Sequence, residues 1–504
     1  MSWIATTAAH HGDAEALCIR DRAVSYRELA AHVRTLEHAL AREGIACGEA
    51  VAVLATGAYE IALLLHAAQA LGCALLPLNA RLPEIELQRQ LSASGVRALV
   101  CDRAQVERAD ALARALGIAR LELAITGSGE PRLELASNWG QARIVAKEQC
   151  VPDPNCALLW LFTSGTSGTA KAAELSQRAL RASADGHARS IGLRAGERWL
   201  ACMPMFHVGG LSILVRCALA GASAELHDRF DESEVARALA SGRSALVSLV
   251  PAMLARLLDA WGERPPPAAL RCVLLGGAAA PGALLARAAA LGFPVAPTYG
   301  LTEAASQVAT RPASERREPL GARMHALPGT ELRIADESGA ALPAGAEGEI
   351  CVRGPTLMTR YVGDAAATAR ALRNGWLHTG DIGRLDAESG LEVLDRRTDL
   401  IVSGGENVYP ARIESALLEH AAVLDSGVVG RADERFGARP VAFVVLRPGT
   451  HAGDAELRAH CSSRLARFET PAAFHVIDAL PRNSSGKLLR RELREREPLL
   501  PRRT

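Results

Sequence analysis

The sequence predicts an α/β protein in three successive parts, and three observations predict it. Over roughly the first 300 residues, short continuous apolar runs alternate with helical segments, the pattern of parallel sheets covered on both faces. From about Ala326 the runs turn short and alternating, with glycine turns between them, which predicts a small β-rich subdomain. After Leu394-Asp395-Arg396 an α+β segment runs to the end.

Each element has a local reason. Ser25-Tyr26-Arg27-Glu28 is a capping box, because a serine and a glutamate three residues apart satisfy each other's orphan amides; it opens an amphipathic helix ending near Gly44. Val51-Ala52-Val53-Leu54 is a strand, followed by a helix through Leu63 and Ala67. Ala74-Leu75-Leu76-Pro77 and Ala98-Leu99-Val100-Cys101 repeat the rhythm, and so do Ala157-Leu158-Leu159-Trp160, Trp199-Leu200-Ala201-Cys202, Ala245-Leu246-Val247-Ser248 and Cys272-Val273-Leu274-Leu275. Arg264-Pro265-Pro266-Pro267 is a rigid loop inside this alternation. Glu331-Leu332-Arg333-Ile334 and Glu349-Ile350-Cys351-Val352 are the alternating strands of the second part. Ligands of parallel α/β sheets sit in loops at the carboxyl ends of strands, which marks the loop after Trp160 and Gly276-Gly277-Ala278 after Leu275.

Composition narrows the function classes. A chain of 504 residues is too long for one ordinary domain, and 49% hydrophobic with 22% charged residues implies a large packed core. A net charge of +1 gives no basis for a nucleic-acid surface. The 11 cysteines contain no C-x-x-C, which argues against a zinc site or a disulfide framework and for a reducing cytoplasm. Met1-Ser2-Trp3-Ile4 lacks the flank and core of a secretory signal, and no window holds about 18 uninterrupted apolar residues, so no spanning helix is expected.

Leu161-Phe162-Thr163-Ser164-Gly165-Thr166-Ser167-Gly168-Thr169-Ala170-Lys171 carries two glycines, five hydroxyl side chains and one lysine. Glycine lets backbone N–H groups turn toward an anion, hydroxyls add donors and lysine adds a point charge, so the loop suits a polyphosphate. It is not a P-loop, since Gly168 stands three positions before Lys171 and Ala172 follows. Thr298-Tyr299-Gly300-Leu301-Thr302-Glu303 offers a ring, a hydroxyl and a carboxylate. Gly375-Trp376-Leu377-His378-Thr379-Gly380-Asp381 places a carboxylate after a glycine turn.

In this order, and followed by Asp395-Arg396 and a late Gly486-Lys487, these segments resemble the adenylate-forming superfamily of acyl-CoA synthetases, luciferases and peptide-synthetase adenylation domains. The resemblance implies a large N-terminal domain of two stacked α/β subdomains plus a small β-barrel, over 1–395, and a mobile α+β C-terminal lid over 396–504. Asp395 to Pro410, Pro204 to Ser212, Glu303 to Gln307 and Pro481 to Arg490 are most similar to the 2-succinylbenzoate–CoA ligases of menaquinone synthesis. Medium-chain acyl-CoA synthetases share parts of these segments. A CoA ligase for a fatty or other aromatic acid therefore stays open, as does a catalytically silent adenylate-binding protein.

The resemblance implies ATP, Mg2+ and CoA as cofactor and co-substrates, with a small carboxylic acid as partner; a homo-oligomer is left open. Thr163, Ser164, Gly165, Thr166, Ser167, Gly168 and Lys171 would hold the β- and γ-phosphates. Glu303 would anchor Mg2+, and Thr302 would reach the α-phosphate. Gly276, Gly277 and Tyr299 would frame the adenine, with Ala278, Thr298 and Gly300 also binding the nucleotide, while Asp381 and Arg396 would grip the ribose. Lys487 would be the swinging catalytic cation. Thr398 maps to the hinge, where many relatives carry Asp or Lys, and Ser403, Gly404 and Gly405 would face the thioester-forming site. Relatives usually have Pro-Lys-Gly where this chain has Ala170-Lys171-Ala172. His207 lines the acyl pocket in relatives. Arg216, a cation among apolar neighbours, either snorkels to solvent or pairs with a buried anion, and the second option suits a dicarboxylic substrate. Ser306 and Gln307 would supply neutral donors at the same end.

Overall fold

A computed structural model describes residues 2–20, 22–126, 131–135, 153–163, 171–312, 323–396, 399–403, 406–433, 436–482 and 488–497, with backbone alone at 131–135, 396 and 407. Two large sheets organise the first part. One has eight strands, whose central members Ala157–Thr163, Ala74–Pro77, Ala50–Leu54, Ala98–Asp102 and Ala119–Ile125 run parallel. The other has nine, with a parallel centre of Val295–Leu301, Cys272–Leu275, Leu246–Leu249, Arg198–Ala201, Ser223–Leu226 and Glu15–Ile19.

Strand alternation explains how the sheets stack. Val51 and Val53 point into the same core as Trp199 and Ala201 of the other sheet, while Ala52 and Leu54 point outward. Leu200, Cys202, Val247 and Leu249 likewise form an outer layer with Leu254 and Leu258 of helix Pro251–Trp261. Helices Ala58–Leu71 and Val208–Ala220 contribute to the shared core and are buried and mainly apolar for that reason. Each fully buried leucine there contributes about 1.5–3 kcal/mol. The capping box forms as expected: the Ser25 hydroxyl accepts from the Glu28 amide, and the Glu28 carboxylate accepts from the Ser25 amide at 2.8 Å, opening helix Tyr26–Arg42.

Two local expectations change. The strand at Ala157 does not stop at Trp160. It continues to Thr163 and pairs antiparallel with Lys171–Ser176 as a hairpin, so Leu161, Phe162 and Lys171 are strand residues. Asp381 is not in a turn but inside strand Trp376–Leu385.

Strands Glu331–Ala335, Gly348–Arg353, Leu372–Arg373, Trp376–Leu385 and Leu391–Arg396 make an antiparallel five-stranded sheet, the small β-rich part that was expected. The last part has its own five-stranded sheet and two cores of its own, one packed on helix Pro410–Leu418 and the other holding Leu493 of helix Arg490–Arg496. Among the described residues no helix is long and apolar enough to cross a membrane, and ten cysteines are free.

Candidate active site

The phosphate end forms at the hairpin. Thr163 and Lys171 are register partners, and the Thr163 hydroxyl donates to the Lys171 carbonyl at 3.3 Å. The Lys171 ammonium lies 5.5 Å from the centre of the Tyr361 ring. Tyr361 is held on the same hairpin by pairing with Ala173, and its hydroxyl donates to Glu303 Oε1 at 2.8 Å. Glu303 sits on a single 3-10 turn, Thr302–Ala304, whose position is fixed by the Met358 amide donating to the Glu303 carbonyl at 2.8 Å. Lysine, tyrosine and carboxylate from three distant segments thus meet. Tyr361 had no recognisable signal in the sequence, because its partner lies 58 residues away. A carboxylate beside a cationic hairpin is a hard-oxygen donor suited to magnesium carried by a nucleoside triphosphate.

The nucleoside end joins two other segments. The Tyr299 hydroxyl donates to Asp381 Oδ2 at 2.7 Å, linking the strand-end hexapeptide to the five-stranded antiparallel sheet. Between the Glu349–Ile382 and Cys351–His378 pairs, strand Trp376–Leu385 carries extra residues, and this bulge, with Gly380 at φ 73°, presents Asp381. Asp381 is also the register partner of Arg396, the expected second ribose contact. Gly276 packs on Thr298, where an added Cβ would stand 2.7 Å from the threonine methyl; Gly277 and Ala278 beyond it are exposed. Gly300 is tighter still: its Cβ would fall 1.9 Å from the Ser306 carbonyl oxygen.

That contact leads to the acyl end. Ala305 and Ser306 have φ 52° and 100°, strained values for residues with side chains. The strain aims the Ser306 hydroxyl at helix Val208–Ala220, where Ser212 lies 3.4 Å away and Arg216 Nη2 donates at 3.3 Å. Arg216 does not snorkel, being 3% exposed. Its guanidinium lies 5.6 Å from the Trp199 ring centre, and its Nε has no partner. Among the described residues no carboxylate pairs with it, and burial pulls its pKa down to about 9. His207 caps the same helix; burial, and secondarily Arg81, push its pKa down to about 4, and its Nε2 has no partner.

Gln307 requires correction. It is buried, and its amide is used up inside the protein: Oε1 meets His187 Nδ1 at 2.8 Å, while Nε2 donates to Thr310 at 2.8 Å and to Thr298 at 3.3 Å. It positions Thr298 rather than offering a free donor. His187 was missed because nothing around it in the sequence signals a partner 120 residues away.

In the last part, Ser403 is buried in the hairpin of Ile401–Ser403 and Glu406–Val408. The stretch holding Lys487 is bounded by a bridge between Arg482 and Leu488, and Arg482 is paired with Asp425 at 2.8 Å. Ser164, Gly165, Thr166, Ser167, Gly168, Thr398, Gly404, Gly405 and Lys487, with the Arg396 side chain, lie outside the described residues.

Comparison with known proteins agrees with this geometry. The profile of the family described as AMP-binding enzyme matches residues 4–362, and that of the AMP-binding enzyme C-terminal domain matches residues 412–487. The chain is 38% identical over 494 residues to a 2-succinylbenzoate–CoA ligase of Bacillus cereus, with 98% of each chain covered. Among solved structures it is similar to the o-succinylbenzoate CoA synthetase of Bacillus subtilis in complex with its acyl-adenylate intermediate, at TM-score 0.86 and 34% identity, covering 98% of this chain and 97% of that one. The same Bacillus subtilis enzyme with ATP and magnesium gives TM-score 0.85 at 34% identity, covering 98% of this chain and 99% of that one. A sheet-pair scaffold that gathers these distant segments, matched over nearly its whole length by such relatives, establishes that the chain belongs to the AMP-binding enzyme family of adenylate-forming ligases.

Proposed function

We propose that the chain activates 2-succinylbenzoate with ATP, releasing pyrophosphate, and then transfers the acyl group from the acyl adenylate to CoA. The observation that carries the choice of acid is Arg216. A guanidinium this deeply buried, with a neutral hydroxyl as its bonded neighbour, is a costly arrangement unless a ligand carboxylate completes it. A diacid supplies that carboxylate while its other carboxyl reacts. A fatty acid supplies none.

A carboxylate is a poor acyl donor because oxide would have to leave; adenylation makes AMP the leaving group. The first step brings two anions together, so the site must offset negative charge. Lys171 and the loop before it would face the β- and γ-phosphates, and Glu303, oriented by Tyr361, would hold the magnesium that screens them. Thr302 stands next to Glu303 for the α-phosphate. Asp381, steadied by Tyr299, would accept the ribose hydroxyls beside Arg396. Lys487 would lie between the acid oxygen and the α-phosphate, where charge develops in the transition state. Ser403, Gly404 and Gly405 would line the path of CoA.

The division of the chain supports two positions of Lys487. Strand Leu391–Arg396 belongs to the five-stranded antiparallel sheet, whereas Asp399 is tied to the last helix by Arg490 at 3.4 Å and Arg494 at 2.9 Å. A hinge at Thr398 would separate the part ending with that strand from the part anchored at Asp399, next to the expected boundary between 395 and 396. The test is a panel of acids assayed for pyrophosphate release, with and without CoA. 2-Succinylbenzoate should give acid-dependent pyrophosphate without CoA and a thioester with it; release with fatty acids alone would defeat the assignment.

A further inference from the structure

We infer that Glu349, Cys351 and His378 form a second metal site, one for a zinc-class divalent cation, apart from the magnesium bound with ATP. Glu349 and Cys351 are two apart on strand Gly348–Arg353, so their side chains share a face, and His378 is the register partner of Cys351 on the neighbouring strand. All three are buried: Glu349 is 8% and Cys351 0% exposed, and the His378 side chain 5%. One ligand atom from each lies within 4.8 Å of the others. Cys351 Sγ is 3.4 Å from His378 Nδ1, and Nδ1 is 2.9 Å from Glu349 Oε2. With zinc–sulfur and zinc–nitrogen bonds of about 2.3 and 2.0 Å, a tetrahedral site has ligand–ligand edges of about 3.3–3.6 Å; the sulfur–nitrogen edge already has this length, and the Glu349 carboxylate would adjust to complete the other two.

The second observation is a conflict that a cation resolves. Arg373 Nη2 is 2.6 Å from the same Nδ1 and 3.7 Å from Glu349 Oε2. A single ring nitrogen cannot accept from the guanidinium and donate to the carboxylate at once. A metal ion at the place of the guanidinium tip would take the nitrogen lone pair, the carboxylate and the sulfur together. The Arg373 side chain is 43% exposed and can turn outward. On binding, the Cys351 thiol loses its proton to solvent, and thiolate plus carboxylate then balance the dication. Arg333, whose charge also acts on Cys351 and whose guanidinium stacks on Trp376, opposes the ion and limits its affinity. Glu349 Oε1 meanwhile accepts from the Gly380 amide at 3.0 Å, so an occupied site would stiffen the bulge that presents Asp381.

The test uses the full chain, freed of metal by a chelator and titrated with Co2+ and then Zn2+. A near-ultraviolet sulfur-to-cobalt charge-transfer band should appear at one equivalent and vanish as zinc displaces cobalt. Cys351→Ser should abolish the band, and His378→Ala, which removes a direct ligand, should weaken binding by more than the roughly 10- to 100-fold of losing an outer-shell partner. Arg373→Ala, an exposed change that keeps the core intact, should tighten binding because it removes the competing cation. No band in the unmodified chain, a band that survives Cys351→Ser, or weaker binding in Arg373→Ala would overturn the inference.

Discussion

Arg216 is the residue on which the proposed choice of acid rests. In the sequence it was a cation among apolar neighbours, with snorkelling and pairing both open; burial at 3% exposure removes the first. Replacing it by leucine should raise the Michaelis constant for 2-succinylbenzoate by about 30- to 160-fold, the roughly 2–3 kcal/mol of a truncated buried charge pair, and leave that for ATP unchanged. An unchanged acid constant would show that the acid is held elsewhere. Tyr361→Phe is a milder probe of the phosphate end. Loss of one hydrogen bond to Glu303 should cost about 1 kcal/mol, seen as a roughly fivefold higher constant for magnesium–ATP with the acid constant unaltered. The chemistry-bearing residues Lys171, Glu303 and Asp381 were legible because their types and order are distinctive. Tyr361, Ser212 and His187 were not, because each acts through a partner that only folding brings near.

At the scale of elements, the decisive contact is between strands Val295–Leu301 and Ser306–Thr310. Gly300 leaves no room for a Cβ, and the tight approach forces the positive φ of Ser306, which in turn faces Arg216. Gly300→Ala should spread this strand pair, lowering the thermal midpoint and raising the acid constant together. Gly282→Ala, whose Cβ meets nothing within 4 Å, should do neither. Equal behaviour of the two variants would remove the strand pair from the account. The capping box and the alternating strands were readable because their causes are local. The hairpin at Thr163–Lys171 and the bulge before Asp381 were not, since an apolar run does not say whether the next strand pairs parallel or antiparallel, and a bulge is defined only against its partner. The same reason hides Glu349, Cys351 and His378: cysteine spacing argued against a zinc site, yet these ligands come from two adjacent strands.

At the scale of the molecule, the two sheets share one core, and that core buries histidines in neutral form. Burial holds His66 and His207 at about 4. In the unfolded chain both would titrate near 6.5, so below that pH the unfolded state binds more protons and stability falls. The loss should begin near pH 6.5, grow as pH drops to about 4, and reach roughly 3 kcal/mol for His66 alone. Thermal midpoints measured across this range check it, and a midpoint that stays flat would contradict neutral burial. The fold class was plain from the sequence because strand and helix periods survive in any single chain. Which strand faces join the shared core was not, because that depends on how two sheets stack. Catalysis is also a whole-molecule matter. Lys487→Ala should reduce adenylation by at least about 100-fold, yet leave thioester formation from supplied acyl adenylate largely intact; equal loss of both would place the lysine outside the first step.

The central claim is that a buried guanidinium reads the carboxylate that does not react. The most direct measurement compares kcat/KM for 2-succinylbenzoate with that for each of its two monoacid analogues, in the unmodified chain and in Arg216→Leu. The account predicts a preference for the diacid of about 30-fold or more over the analogue that keeps only the reacting carboxyl, collapsing to near unity in the variant. A preference of the same size in both proteins would contradict it.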